Sequence, residues 1–254
     1  IYTDNTMALT QRHRPAWAPL SSRAAASWER FEARLCREAH TVFTFSEFAR
    51  RSMLEDYGCR PDAVLAVGAG ANQWLDSPAA ASGPPVALFV GEDFARKGGQ
   101  VLLAAWTHVR RALPEAELLI VGPHSDPVAH REGVRWLGRV DRARLADLYR
   151  SAHVFVLPSL FEPWGHVFIE AMGYGLPCIA ADCCAMPEMV IDGLTGRLVA
   201  PGQVGPLATA LVDLLGDPGT ARAMGAAGHR RVISTFTWDK VAERVVARLS
   251  ASAP

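Results

Sequence analysis

The chain has 254 residues, half of them apolar and a fifth charged, and its formal net charge is zero. That profile excludes a disordered or fibrous polypeptide and describes a soluble globular protein, with room for one large α/β domain or two smaller ones. Zero net charge gives no overall pull toward nucleic acid or anionic lipid, so no nucleic-acid partner is expected.

IYTD (1–4) opens the chain as a short strand, and Arg12, His13 and Arg14 follow as a basic patch that reads as a solvated face. A long helix is expected over about 21–39, then strands at TVFTF (41–45) and VLAV (64–67). DSPAAASGPP (76–85) is rich in proline, glycine, alanine and serine and reads as a linker. Beyond it the pattern becomes regular. VALFVG (86–91), ELLIVG (117–122), HVFVLP (153–158) and CIAA (178–181) are short apolar runs, the signature of strands buried on both faces of a parallel sheet. Between the first two, Leu102, Ala105, Trp106, Val109 and Leu113 form a helical stripe that Pro114 stops, and a second helix spans 142–151. Strand starts lie 25 to 36 residues apart, the length of a βαβ unit, so the fold class is α/β with a doubly wound, Rossmann-like second half. An amphipathic helix with Val241, Val245 and Leu249 on one face closes the chain. No apolar run approaches the roughly 18 residues of a membrane span, and no signal peptide is visible. The five cysteines are scattered and form no CxxC. Adjacent Cys183 and Cys184 lack zinc-site spacing, so the expectation is reduced thiols in a cytoplasmic protein, with that pair as small apolar filler.

FEPWGHVFIEAMGYGLP (161–177) brackets a proline, a glycine and an apolar run with Glu162 and Glu170. Pro163 cannot sit deep in a helix and Gly165 tolerates unusual backbone angles, so a helix is expected to begin near His166, at the carboxyl end of the strand 153–158. A helix N-terminus at that edge of a parallel sheet suits phosphate. Carboxylates beside phosphate are unfavourable unless they bind hydroxyls, which makes a sugar or a ribose the natural partner. Taken alone, the two glutamates also fit a plain loop residue and a solvated helix residue. GAG (68–70) after VLAV is a weak dinucleotide signal because no third glycine follows in place.

The segment EPWGHVFIEAMGYGLPCIA resembles the E-x7-E segment of retaining GT-B glycosyltransferases, in particular the large glycogen-synthase-like family four. PEMVIDGLTGRLVAPG (187–202), the basic loop GEDFARKGG (91–99) and LGRVDRARLADLYRSAHVFVLPS (137–159) are similar to neighbouring family segments, in family order, and the likeness runs over about residues 40–240. The resemblance implies transfer of a sugar from a nucleoside-diphosphate sugar to an acceptor it does not name, with retention of anomeric configuration, no metal and no cofactor. It implies that Glu170 holds the ribose hydroxyls and Glu162 the donor-sugar hydroxyls. The backbone N–H groups of Gly165, His166 and Val167 would hold the diphosphate, with Lys97 neutralising it and Arg96 beside it. Arg139 and Val140 would border the base. YTDNTM (2–7) resembles a strand end that would turn Asp4 toward the donor sugar, and taken alone Asp4, Asn5 and Thr6 equally fit a plain turn. Glu92 stands where the family carries an arginine and is expected to point away from the diphosphate, and Cys183 and Cys184 stand where many relatives carry a glycine pair.

The implied organisation is a partial amino-terminal, acceptor-side Rossmann-like domain (1–76), a linker (77–85), a complete donor-binding domain (86–236) and a terminal helix crossing back to the amino-terminal half (237–254). So short an amino-terminal part implies a chain with little transferase activity on its own and an exposed apolar sheet edge. Family members that act on lipid-linked acceptors touch membranes through this domain, so the resemblance also allows peripheral contact at the inner membrane face. The alternative reading is a non-catalytic nucleotide-sugar-binding fragment or regulator that keeps the fold.

Overall fold

Two groups of parallel strands organise the chain in a computed structural model, which describes residues 1–75, 77–78, 81–126 and 131–251. The expected boundary at Asp76, part of the linker 77–85 and the last three residues of 237–254 lie outside the described residues. Contacts divide the chain into one unit of Ile1–Gly70 with Phe236–Pro254 and a second of Ala71–Thr235.

The first unit holds β1 (Tyr2–Thr3), α1 (Met7–His13), α2 (Ser22–Glu38), β2 (Val42–Thr44), α3 (Glu47–Glu55) and β3 (Val64–Ala66). The hydroxyls of Ser21 and Ser46 accept from Ala24 N and Ala49 N, fixing where α2 and α3 begin. The three strands pair in parallel, in the order β1-β2-β3. Ala33 and Cys36 from α2 pack with Val42, Met53, Tyr57 and Val64. The C-terminal helix (Trp238–Ser250) lays Val241 against Phe43 and Val67, and Arg244 donates to the Val67 carbonyl at 2.7 Å. β1 is one of the two edge strands, and Ile1 and Tyr2 are exposed there.

The second unit runs β4 (Val86–Val90), α4 (Gly99–Ala112), β5 (Glu117–Val121), β6 (Val134–Gly138), α5 (Arg142–Ser151), β7 (Val154–Leu157), α6 (His166–Gly173), β8 (Cys178–Ala181), α7 (Met186–Met189), β9 (Gly196–Val199), α8 (Val204–Gly216) and α9 (Pro218–Thr235). All its strand pairs are parallel, in the order β6-β5-β4-β7-β8-β9. The chain winds outward from β4 to one edge, returns to lay β7 beside β4, and winds outward to the other edge. The switch point of this doubly wound sheet therefore lies between β4 and β7, and a ligand crevice is expected outside their carboxyl ends. β7 and β8 are buried at every position, so only apolar residues suit them. The edges β6 and β9 are half-exposed and carry Arg135 and Arg197, which is why neither stands out as an apolar run. The segment before the sheet packs against α6: Leu75 N–H donates to Gly173 O at 3.2 Å, and His229 Nε2 bonds the Leu75 carbonyl at 2.8 Å.

Candidate functional site

Two loops meet at the switch point. The first leaves β4 at Gly91 and enters α4 at Gly99. The Asp93 carboxylate accepts from Arg96 N at 3.1 Å, and Lys97 N–H donates to Asp93 O at 2.9 Å, so the loop closes as a compact turn. Gly98 takes φ 74°, and a Cβ there would lie 2.0 Å from the Pro158 carbonyl oxygen, so the close approach of the two loops requires glycine. Gly91 leaves the space through which the Lys97 stem passes, since a Cβ on it would sit 2.0 Å from Lys97 Cδ.

The second loop runs from Pro158 to Gly165. Its Leu160 N–H donates to Arg96 O at 2.9 Å, joining it to the first. Glu162 is 8% exposed and places one oxygen, Oε2, 3.1 Å from Lys97 Nζ and 3.2 Å from Arg96 Nη1. Arg96 is also 8% exposed and donates to the Phe161 carbonyl at 2.8 Å. It was expected beside Lys97 at the diphosphate, and it is turned inward. A buried guanidinium needs acceptors on several sides, and Asp93, Phe161 O and Glu162 supply them. Glu162 is therefore not the solvated loop residue that its sequence position alone allows.

α6 begins at His166 with Gly165 as its cap, at φ 106° and with no side chain to bond the first turn. Helix geometry offers no internal acceptor to the first-turn amides of His166 and Val167, and the helix dipole adds partial positive charge there. Glu170 follows on the second turn. Its Oε1 accepts from Asn72 Nδ2 at 3.4 Å and its Oε2 from the Tyr149 hydroxyl at 3.5 Å. Burial pushes its carboxyl up, against the opposing pull of Asn72, Arg142 and Tyr149. The Tyr149 phenol, buried beside that carboxylate, is held well above its usual range, chiefly by burial.

Arg139 and Val140 follow β6 at the same sheet edge. Arg139 Nη2 pairs with Glu92 Oε1 at 2.6 Å, and both side chains are 59% exposed. Glu92 is thus drawn to an arginine at the rim, away from Lys97. Asp4 is exposed in the turn after β1 and belongs to the other unit. The second unit therefore joins Lys97, Arg96 and Glu162 in one contact network next to Gly165, carries His166, Val167 and Glu170 on the helix that follows, and places Arg139 and Val140 on the loop after β6. Sequence reasoning missed Asp93, Asn72 and Tyr149. Only the Asp93-to-Arg96 spacing, which matches a side chain closing a turn, gave a usable local signal.

A six-stranded parallel sheet wound this way, with a lysine loop and a glycine-capped helix at its switch point, defines a doubly wound, Rossmann-like domain. The family model described as Glycosyl transferases group 1 matches residues 84–217, and the chain belongs to that family, with its GT-B fold. Alpha-maltose-1-phosphate synthase of Mycobacterium tuberculosis is 32% identical over 241 residues, which cover 82% of this chain and 62% of that one. Phosphatidyl-myo-inositol mannosyltransferase of Mycobacterium leprae is 35% identical over 213 residues, covering 79% and 56%. The solved sucrose-phosphate synthase of Thermosynechococcus elongatus superposes with a TM-score of 0.73 at 30% identity, covering 87% of this chain and 61% of that one. The chain thus spans about three fifths of the length of these two curated relatives, 62% and 56%. Among the described residues no helix is long and apolar enough to cross a membrane.

Proposed function

We propose that this chain carries the donor site of a retaining, metal-independent glycosyltransferase that moves a sugar from a nucleoside-diphosphate sugar to an acceptor. The observation that carries the reading is the convergence of Lys97 and Glu162 from two loops at the β4/β7 switch point, beside the glycine-capped end of α6. Breaking the anomeric bond leaves negative charge on the departing diphosphate. A lysine ammonium and first-turn amides already aimed there stabilise that charge without a metal ion. When donor arrives, Lys97 exchanges Glu162 for the diphosphate. Glu162 stays in place because Arg96 still holds it, and its carboxylate is then available to accept from donor-sugar hydroxyls. Arg96 acts through Glu162 and is a positioning residue. Glu170 accepts from the ribose hydroxyls, which restore hydrogen bonds that burial removes. Arg139 and Val140 border the base.

The names of the relatives differ in acceptor, from maltose-1-phosphate synthesis to a phosphatidyl-inositol lipid, so the acceptor is left unnamed. The test is thermal stabilisation of the purified chain by UDP, GDP and ADP. Nucleotide at about a hundred times its dissociation constant should add roughly 2.7 kcal/mol. The shift should appear with one base and vanish in Lys97→Ala and Glu170→Ala. No shift with any of the three, or a shift untouched by both substitutions, overturns the site. Turnover that survives EDTA and gives product of unchanged anomeric configuration supports the transfer chemistry. Nucleotide binding with no turnover under any acceptor tried favours the reading of a non-catalytic nucleotide-sugar-binding protein.

A further inference from the structure

The turn after β8 carries Cys183 and Cys184 side by side, both part-exposed, whereas Cys36, Cys59 and Cys178 are buried. Cys184 has φ 54°, and among the described residues it is the one non-glycine in the left-handed region, so the turn holds local backbone strain. Its neighbours belong to the Glu162 loop. The Cys183 thiol donates to the Ser159 carbonyl at 3.6 Å, and Ala185 N–H donates to the Glu162 carbonyl at 3.4 Å. Hydrogen bonds from Cys183 and the Glu162 backbone draw the Cys184 thiol down to about 7, against the opposing effects of burial and the Glu162 carboxylate. The matching bond to Cys184, with burial, pushes Cys183 up. The Ser159 carbonyl holds the Cys183 thiol as a donor, with its proton in place, which leaves Cys184 as the nucleophile of the pair.

We propose that Cys183 and Cys184 are a reversible redox couple, a vicinal dithiol that a peroxide closes to a disulfide, and that closure displaces the Glu162 loop. The Cys184 thiolate attacks one peroxide oxygen. The O–O bond breaks, sulfur becomes a sulfenic acid, and the other oxygen leaves as hydroxide or alkoxide and takes up a proton. The Cys183 sulfur then attacks the sulfenic sulfur. The S–S bond forms, the S–O bond breaks, and the oxygen leaves as water with the Cys183 proton. Two thiols lose two electrons and one peroxide gains them. Adjacent Cα atoms lie about 3.8 Å apart, short of the roughly 4.4–6.8 Å of ordinary disulfides. The ring is therefore strained and easily reduced, which suits a switch and not a structural bridge. Closing it pulls Cys183 off the Ser159 carbonyl and re-aims the turn that bonds the Glu162 backbone. The consequence for donor rests on the functional reading above, but the couple and its effect on the loop do not.

The test treats the full chain with hydrogen peroxide, alkylates the remaining thiols and cleaves before aspartate. Asp182 and Asp192 then free the peptide 182–191, which holds Cys183 and Cys184 and no other cysteine. The expected peptide is unalkylated and two hydrogens lighter, and dithiothreitol restores both alkylation sites. Hydrogen exchange over 159–165 should be faster in the oxidised protein, and C183S should stop at a sulfenic acid with loop exchange unchanged. A dialkylated peptide after peroxide, or oxidation past the disulfide to sulfonic acid, overturns the couple. A disulfide that leaves exchange over 159–165 unaltered overturns its coupling to the site. Whichever of UDP, GDP and ADP stabilises the reduced protein should lose that effect on oxidation. If the reduced protein shows no shift with any nucleotide, the functional reading fails, while the peptide mass and loop exchange still decide the couple.

Discussion

One oxygen of Glu162 faces two cations, and removing either side of that cluster has unequal consequences. Arg96, Lys97 and Glu162 side chains are only 10–13% exposed, so solvent screens them weakly. Truncating Glu162 leaves two buried cations facing each other, whereas truncating Lys97 leaves Arg96 and Glu162 still paired. Glu162→Ala should therefore cost about 3 kcal/mol of unfolding free energy in urea, and Lys97→Ala less than half of that. Equal losses would mean that the three groups do not act as a unit. Glu170 presents the opposite case. Its carboxyl is raised in the folded state, mainly by burial, so the folded protein binds that proton more tightly than the unfolded chain does. Stability from this group is complete below the unfolded carboxylate range and is lost as pH rises through the folded value. Glu170→Gln should therefore melt higher than the parent at neutral pH. The gain should disappear near pH 4, where about half of free glutamates carry a proton. The same variant should lose nucleotide stabilisation, the usual conflict between a site and the fold that holds it. A lower melting temperature for Glu170→Gln at neutral pH would show that the Asn72 and Tyr149 bonds outweigh burial.

The elements around the site are set by glycines that do different work. A Cβ at Gly98 meets the Pro158 backbone at 2.0 Å and must adopt φ 74°. Neither can relax cheaply, so Gly98→Ala should destabilise by about 2 kcal/mol or more. A Cβ at Gly91 meets the flexible Lys97 stem, which can move. Gly91→Ala should keep nearly all of the stability in the same urea titration and weaken nucleotide binding instead. Reversed outcomes would mean that Lys97 is not threaded past Gly91. The helix that begins at His166 was legible because Pro163 and Gly165 are local signals that act on their own backbone. β7 and β8 were legible because burial on both faces leaves an uninterrupted apolar run. β6 and β9 escaped because an edge strand needs neither. The partners of Glu170 escaped for a different reason. Asn72 lies 98 residues away and Tyr149 21, and no local spacing encodes a contact that only the sheet winding creates. Arg96 was legible as a cation but not in its direction, because the acceptors that turn it inward include a backbone carbonyl 65 residues on.

At the level of the molecule, the first unit is assembled from both ends of the chain, Ile1–Gly70 and Phe236–Pro254. Its sheet has three strands, and Trp28, Phe31 and Leu35 of α2 are each about half exposed, at 52%, 50% and 49%. These side chains contribute little burial to the unit, which narrows its margin of stability. The C-terminal helix adds Val241 to the unit's core. Val241 covers Phe43 and Val67, and Arg244 and Arg248 bond the carbonyls of Val67 and Asp62. Full burial of a valine is worth about 1.5–3 kcal/mol. The second unit has its own six-stranded sheet and contains Lys97, Glu162 and Glu170 entirely within it. Calorimetry of the chain should therefore resolve two transitions, with nucleotide raising only the upper one. Deleting 237–254 should lower the first transition or abolish it and leave the second, together with its nucleotide shift, in place. A single transition that moves as a whole on deletion would show that the two units fold as one cooperative body. In that case loss of the terminal helix would reach the donor site through stability alone.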